Sequence, residues 1–359
     1  MSQVVENFVV SRKDLRAHKM VETTLPDLGD GEILVKVDRY AFTSNNVTYA
    51  AFGEAMQYWD FFPAPEGYGR IPVWGFGDVV ASKCDGIAVG ERIYGYLAMS
   101  SHVVLKVDRV KPQGFVEVSP HRSHLALVYN QYTRVANDPT YDKAREDEQC
   151  LLGPLFKTAF FIDDLIADND FFGAKAVVLS SASSKTALGT AFLLAQHPGI
   201  EVIGLTSPGN KAFVEGTGYY DCVVTYDAIS TIPADLPVVF VDMAGNAEVI
   251  TNLHNHFRDA MKYSCVVGGT HWEARGVEKA LPGPKPVFFF APTQIAKRTK
   301  DWGPGGIEQR YGAKWQAFLK SVDQWMKVVP GRGPADIEHV YLDMLDGRVH
   351  PQEGHMLSL

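Results

Sequence analysis

The 359-residue chain lacks the marks of several large protein classes. Its four cysteines, Cys84, Cys150, Cys222 and Cys265, stand singly with no C-x-x-C pair. That spacing argues against a disulfide framework and a structural zinc cluster, and the four read as small core residues. No block of Lys and Arg stands out, and the formal charge is −8. Nucleic acid and anionic membrane are therefore not expected as partners. No apolar run reaches the roughly 18 residues that a membrane span needs, and Met1 to Lys19 is polar and charged rather than signal-like. The expectation is a cytoplasmic protein.

Glycine is missing from one place where it matters. Ala176-Val177-Val178-Leu179 is a short, wholly apolar run, as in a strand buried on both faces of a parallel sheet. Apolar residues at helical spacing follow from about Thr186 to Gln196, stopped by His197-Pro198-Gly199, and Glu201 to Thr206 reads as the next strand. Phe171 to Tyr226 is thus a βαβ unit, the stretch around which the chain is organised. Its first turn would carry three glycines in the standard dinucleotide fingerprint; here it reads Ser181-Ala182-Ser183-Ser184-Lys185-Thr186. Small side chains still let backbone approach a ligand, the hydroxyls and Lys185 add donors, and the start of the helix favours an anion. A pyrophosphate seat is expected there.

An acid is missing too. Strands that follow such turns end in Asp or Glu where the ribose 2′-hydroxyl of NAD is held, whereas this one ends Thr206-Ser207-Pro208-Gly209-Asn210-Lys211. With no acid and one cation, the cofactor expected is NADP.

What remains is ordinary globular material: 46% apolar residues, 32 glycines and 20 prolines, with length enough for two domains. Residues 1–150 read as a partly open β-barrel, with strands at Glu32 to Asp38, Val79 to Ala81 and Arg92 to Tyr96. Between the first two lies an aromatic-rich stretch, Tyr40, Phe42, Tyr49, Phe52, Tyr58, Trp59, Phe61 and Phe62, which suits either a substrate-pocket wall or a minor core. From Leu151 a helix leads into the βαβ unit. Val238 to Asp242 and Ser264 to Thr270 add further buried strands and turns, giving a doubly wound parallel sheet over 151–319. Ligands of such sheets sit beyond the carboxyl ends of the strands, so the turns at Ser181, Thr206, Met243 and Gly268 should converge. Residues 320–359, a helix and a strand, should return to the first domain. Val287-Phe288-Phe289-Phe290-Ala291 reads as a hydrophobic edge strand that a second copy of the chain would cover, so a homodimer is expected.

This order of parts resembles the medium-chain dehydrogenase/reductase superfamily. Gly31 to Val37 resembles its opening strand, Asn45-Asn46-Val47-Thr48 the N-x-x-D of its quinone oxidoreductase branch with Thr for Asp, Val89 to Gly95 its V-G-D-R-V-x-G, and Thr158-Ala159 its L-T-A. Ser44 to Ala50, Tyr58 to Pro63, Pro72 to Phe76, Gly95-Tyr96 and Met99 to His102 look like a family known as DUF2855. Where zinc alcohol dehydrogenases carry G-H-E this chain reads Trp74-Gly75-Phe76-Gly77, and no convergent ligand set is visible, so no metal is expected.

The resemblance implies a GroES-like catalytic domain and a Rossmann domain that together perform hydride transfer from NADP(H), without zinc, to an enone, quinone or related carbonyl compound. The small-molecule substrate would be apolar or aromatic. Tyr49, Tyr94, Tyr96 and His102 are the candidate donors to its oxygen, and Asn45, by its match to the reductase branch, would hold the nicotinamide or the substrate carbonyl. Thr158, Ser181, Ala182, Ser183, Ser184, Lys185, Thr186, Thr206, Ser207, Asn210, Lys211, Tyr226, Ala244, Gly245, Gly268, Gly269 and Thr270 are the candidate cofactor residues. Lyase or isomerase chemistry, alcohol or ketone oxidoreduction, and a non-enzymatic dinucleotide sensor remain alternatives on the same parts.

Overall fold

The computed structural model of the chain describes residues 3–267 and 281–359. Gly268, Gly269 and Thr270 therefore lie outside the described residues. The chain divides into two units, Met1–Leu151 with Lys327–Leu359, and Leu152–Met326.

The first unit opens with strands β1 (Val4–Ser11), β2 (His18–Thr24) and β3 (Glu32–Phe42), helix α1 (Ser44–Ala51), and strands β4 (Tyr68–Gly69), β5 (Pro72–Ser82), β6 (Arg92–Ala98), β7 (His102–Lys111), β8 (Gly114–Glu117) and β9 (Gln131–Arg134). Helix α2 (Glu146–Asp168) carries the chain across the division. The second unit holds β10 (Ala176–Leu179), α3 (Lys185–Leu194), β11 (Glu201–Thr206), α4 (Lys211–Gly216), β12 (Cys222–Thr225), β13 (Val238–Asp242), α5 (Ala247–Phe257), β14 (Met261–Val266), β15 (Val287–Phe288), α6 (Ala291–Trp302) and α7 (Gly306–Val322). Strand β16 (Lys327–Arg332), α8 (Gly333–Leu345) and β17 (Glu353–Ser358) rejoin the first unit. That return comes at Lys327 rather than 320, because α7 runs on to Val322. It buries Phe318, Leu319 and Val322 within the second unit, with Phe318 stacked on Phe156 at 4.5 Å.

In the first unit an eight-stranded sheet runs β16-β17-β3-β5-β6-β9-β8-β7, and a further pairing of β3 with β7 brings it round into a barrel. The ring is thinnest where β6 meets β9, through Ile93↔Arg134 and Tyr94↔Thr133 alone. Glycines let large rings lie against the barrel strands. A Cβ at Gly95 would stand 2.3 Å from the Tyr132 ring, and one at Gly75 would stand 2.8 Å from Cβ of Tyr40. The loop after α1 is pinned by Trp59, buried at 2% exposure and so close to Gly53 and Gly69 that a Cβ on either would fall within 2.1–2.3 Å of its indole. Arg92 ties the barrel to the start of α2, bonding Glu146 at 2.6 and 2.7 Å, Asp38 at 2.7 Å and Asp78 at 3.0 Å.

The second unit is a parallel sheet in the order β12-β11-β10-β13-β14-β15. Strands β10 and β13 are buried along their whole length, which is why their sequences are unbroken apolar runs. The reading of Phe171 to Tyr226 as a βαβ unit holds: β10 and β11 pair in parallel, Ala176↔Glu201 to Leu179↔Gly204, with α3 between them in sequence. The basic stretch Lys297-Arg298 lies on α6 and faces acids of α2; Arg298 bonds Asp164 at 2.7 Å and Asp168 at 2.8 Å. At the sheet edge Val287, Phe288 and Phe290 are exposed, whereas Phe289 is buried.

Candidate functional site

In the second unit β10 hands over to the turn Ser180–Ser184. Ser181 takes a φ of +46°, the left-handed region that costs a residue with a Cβ about 1 kcal/mol or more. Its N–H donates to the Tyr226 hydroxyl at 2.9 Å, and its carbonyl accepts from the Ser184 N–H at 2.7 Å. Ala182 is fully buried; it donates to the Leu205 carbonyl at 2.9 Å and accepts from the Tyr220 hydroxyl at 2.8 Å, so its polar groups serve the fold. Opposite lies Gly204, where a Cβ would come within 2.9 Å of the Ala182 Cβ. The closeness that a fingerprint secures with glycine in the turn is secured here by glycine in the facing strand.

The rest of the turn points toward α3. The Ser183 hydroxyl accepts from Asn210 Nδ2 at 3.1 Å, joining two candidate residues from different strands' ends. Ser184 is the N-cap of α3, its hydroxyl accepting from the Ala187 N–H at 3.3 Å. Lys185 heads that helix, half-buried, and the Thr186 carbonyl accepts from the Thr190 hydroxyl at 2.9 Å. Thr206 is buried at the end of β11 and Ser207 is exposed beyond it. Lys211 is turned back on its own helix, with Nζ on Glu215 and on the Val223 carbonyl at 3.0 Å.

One residue of this unit escaped the sequence reading as a site residue. Asp242, fully buried at the end of β13, accepts from the Ser180 hydroxyl and the Gly245 N–H, both at 2.7 Å, and from the Ala244 N–H at 3.3 Å. It binds the turn after β10 to the turn after β13. The signal was present: an acid closing an otherwise apolar strand needs buried donors. Thr158 is placed differently from its expected role, its hydroxyl donating to the Pro154 carbonyl of its own helix at 3.1 Å.

In the first unit, Asn45 and Tyr49 stand one turn apart on α1, and Asn45 Nδ2 donates to the Tyr49 hydroxyl at 2.7 Å. Asn46 fixes the helix, accepting the Thr43 N–H at 2.8 Å and donating to the Pro72 carbonyl at 2.9 Å. Thr48, in the place of the family's Asp, is exposed and bonds back to the Ser44 carbonyl at 3.2 Å.

Around Tyr49 gather rings from four segments. Tyr58 lies at 4.6 Å between centroids and Tyr96 at 5.7 Å. Tyr129 stands 4.7 Å from Tyr96, 5.4 Å from Phe61 and 6.1 Å from Trp74. Cross-strand register brings Trp74 beside Tyr96 and Phe76 beside Tyr94 on β5 and β6. Of the alternatives for this aromatic stretch, the barrel takes Tyr49, Phe61 and Tyr96 into its core and leaves Asn45, Tyr58, Trp74 and Tyr129 partly exposed as a rim.

Polar atoms inside this group converge. Tyr96 Oη and Trp74 Nε1 are buried without a hydrogen-bond partner of good geometry, and both side chains face the Tyr49 hydroxyl. Burial, reinforced by neighbouring hydroxyls, pushes Tyr49, Tyr96 and Tyr129 far above the ordinary phenol value and Tyr58 up to about 12. All four are neutral donors at physiological pH.

Two candidates are not part of this group's polar centre. Tyr94 stacks on Trp74 at 5.8 Å, and its hydroxyl donates to the Gln149 carbonyl at 3.3 Å. His102 bonds Gln3 at 2.9 Å and Ser101 at 3.1 Å, and burial, then the Lys36 charge, holds its pKa below the usual value. Tyr129 was missed because its ring enters from a segment, Leu127–Tyr129, whose short helical turn has no periodic signature. Among the described residues no three His, Cys, Asp or Glu side chains lie together as a metal would require.

A barrel built from both ends of the chain and an inserted parallel sheet define a medium-chain dehydrogenase/reductase fold. Solved structures of that fold match over nearly the whole chain. CurA from Vibrio vulnificus in complex with NADPH gives a TM-score of 0.64 at 12% identity, covering 98% of each chain. The quinone oxidoreductase from Coxiella burnetii gives 0.58 at 13%, covering 99% of this chain and 100% of that one. The CurK enoyl reductase gives 0.58 at 14%, covering 99% of each. By sequence the chain belongs to the family described as "Protein of unknown function (DUF2855)", which matches residues 40–350. No curated protein matches the sequence significantly.

Proposed function

We propose that the chain is a zinc-independent, NADP(H)-dependent oxidoreductase that reduces an enone, quinone or related conjugated carbonyl compound. The observation that carries this reading is the group around Tyr49: aromatic faces, an amide donor and four neutral hydroxyls, with no carboxylate or cation among its members. Such walls suit a flat, uncharged molecule, and neutral donors stabilise the charge that reaches a carbonyl oxygen during reduction.

The second unit's residues fit a dinucleotide. The turn Ser183–Thr186 offers hydroxyls, a helix start and a lysine, and the glycine at 204 keeps turn and strand close. When bound, nicotinamide supplies the hydride. Thr206 and Ser207 leave the ribose 2′ position free of a competing acid, which favours the 2′-phosphate. Support for NADPH also comes from the CurA structure, a fold relative solved with that molecule.

The test is titration of the protein with NADPH followed by an absorbance assay against a panel of quinones, enones and aldehydes. NADPH binding with oxidation by a conjugated carbonyl compound is the expected result. Binding with no turnover across the panel would favour a dinucleotide sensor.

A further inference from the structure

Tyr129 stands at the middle of the aromatic group and is held there by machinery of its own. Its ring centroid lies within 6.5 Å of Tyr49, Tyr58, Phe61, Trp74 and Tyr96. Tyr49 and Tyr96 are sealed in the barrel core, whereas Tyr129 keeps part of its surface exposed.

Beneath it lies Arg122, 1% exposed and paired with the equally buried Glu117 at 3.2 Å. The guanidinium donates to the Tyr129 carbonyl at 2.8 Å and to Asn130 Oδ1 at 2.7 Å, while Asn130 Nδ2 donates back to the Arg122 carbonyl at 3.0 Å. The same guanidinium covers the rings of Phe61 at 5.0 Å and Phe62 at 4.9 Å. Glu117 is held in turn by the N–H groups of Lys106 at 3.3 Å and Ser119 at 3.1 Å. A buried ion pair stabilises a fold little more than an apolar replacement would, whereas a planar fork on two adjacent residues fixes their geometry closely. The guanidinium thus grips the Tyr129 carbonyl and the neighbouring Asn130 side chain, next to the bond that sets the direction of the Tyr129 ring.

We propose that the Tyr129 hydroxyl is the donor that meets the carbonyl oxygen of the substrate, and that Arg122 is its positioning residue. This rests on the functional reading above. The Tyr129 hydroxyl interacts with those of Tyr58 and Tyr49, and Asn45, Trp74 and Tyr96 are gathered on Tyr49. A hydroxyl backed by others is a stronger donor than one alone, so the inner group strengthens the outer one.

The test uses the full chain with NADPH, menadione and cinnamaldehyde. Tyr129→Phe should lower kcat about 100-fold, the usual effect of removing one preorganised donor, with a much smaller change in KM. The carbonyl stretch of bound cinnamaldehyde, read by difference infrared spectroscopy, should lie lower on the wild-type protein than on Tyr129→Phe. Arg122→Lys keeps the charge but not the fork; it should also lower kcat, and the double variant should be no slower than Tyr129→Phe alone. Additive losses would leave Arg122 a purely structural role. Should Arg122→Lys fail to fold, the Tyr129→Phe results decide the matter. Wild-type turnover matched by Tyr129→Phe, with an unchanged carbonyl stretch, would overturn this inference and leave the functional reading standing. A wild-type protein that neither oxidises NADPH nor binds either carbonyl probe would overturn both.

Discussion

The Tyr226 hydroxyl receives the N–H of Ser181 at 2.9 Å, and Ser181 is the residue that the turn after β10 holds in a left-handed conformation. Without that acceptor the N–H would lose its partner while the strain at φ +46° remained. Tyr226→Phe should therefore cost about 1–3 kcal/mol in urea unfolding and weaken NADPH severalfold. Ser181→Gly in the same background should recover part of the stability, since glycine adopts this conformation without strain. No recovery would mean that the turn is held by other contacts.

Lys211 separates the two dinucleotides. Its pair with Glu215 joins side chains 39% and 51% exposed at i,i+4 spacing, an arrangement worth about 0.3–0.5 kcal/mol. A phosphate can outcompete such a partner, because a charge-assisted bond to an anion is worth about 1.5–3 kcal/mol. NADPH should bind at least tenfold tighter than NADH, and Lys211→Ala should remove most of that difference. Equal dissociation constants for the two, unaffected by the substitution, would exclude a 2′-phosphate seat at this strand end.

Raising the pH should unfold the protein through its tyrosines. In the unfolded chain a phenol loses its proton near pH 10, whereas burial keeps Tyr58 protonated to about 12 and Tyr49, Tyr96 and Tyr129 beyond that. The folded state then binds more protons than the unfolded one. The stability present below pH 10 is lost as pH rises toward and past 12. Urea midpoints measured from pH 8 to 11 should fall steeply above 10, and less steeply in Tyr58→Phe. A flat profile would place these hydroxyls in water.

We propose that a second copy of the chain covers the exposed edge of the parallel sheet. Val287 and Phe288, 45% and 38% exposed, form the two-residue strand that ends the sheet among the described residues, and Phe290 just beyond it is 50% exposed. A second copy across a two-fold axis would cover them. Phe289 is the wrong position to probe, because its side chain is buried within its own unit. Phe288→Lys should shift sedimentation from dimer to monomer while leaving the melting transition cooperative. A wild-type chain that sediments as a monomer at micromolar concentration would contradict the dimer.

Much of this arrangement was legible in the chain. The runs Ala176 to Leu179 and Val238 to Asp242 announce strands buried on both faces, and they lie side by side in the sheet. Helical spacing from about Thr186 announces α3, which in the structure starts at Lys185 with Ser184 as its N-cap. What the chain hid was convergence across sequence distance. Tyr129 enters the aromatic group from a segment with no pattern, and its placement depends on Arg122, Glu117 and Asn130, whose mutual contacts no periodicity encodes. Ala182 read as an open approach for a ligand, yet its N–H is given to Leu205, because sheet closure takes that donor first. His102 read as a donor for the site, and the register of β3 with β7 sets it opposite Lys36.

The central claim is that a dinucleotide seated at Ser183–Thr186 delivers hydride to a conjugated carbonyl compound. Its most direct test is NADPH consumption, followed by absorbance, with menadione and cinnamaldehyde, in the wild type and in Ser183→Asp, which sets a carboxylate beside Asn210 where the phosphates would lie. The account predicts turnover by the wild type with at least one of the two, and loss of NADPH binding by tenfold or more in the variant. Turnover and NADPH affinity that persist unchanged in Ser183→Asp, or a wild type that never binds NADPH, would contradict it.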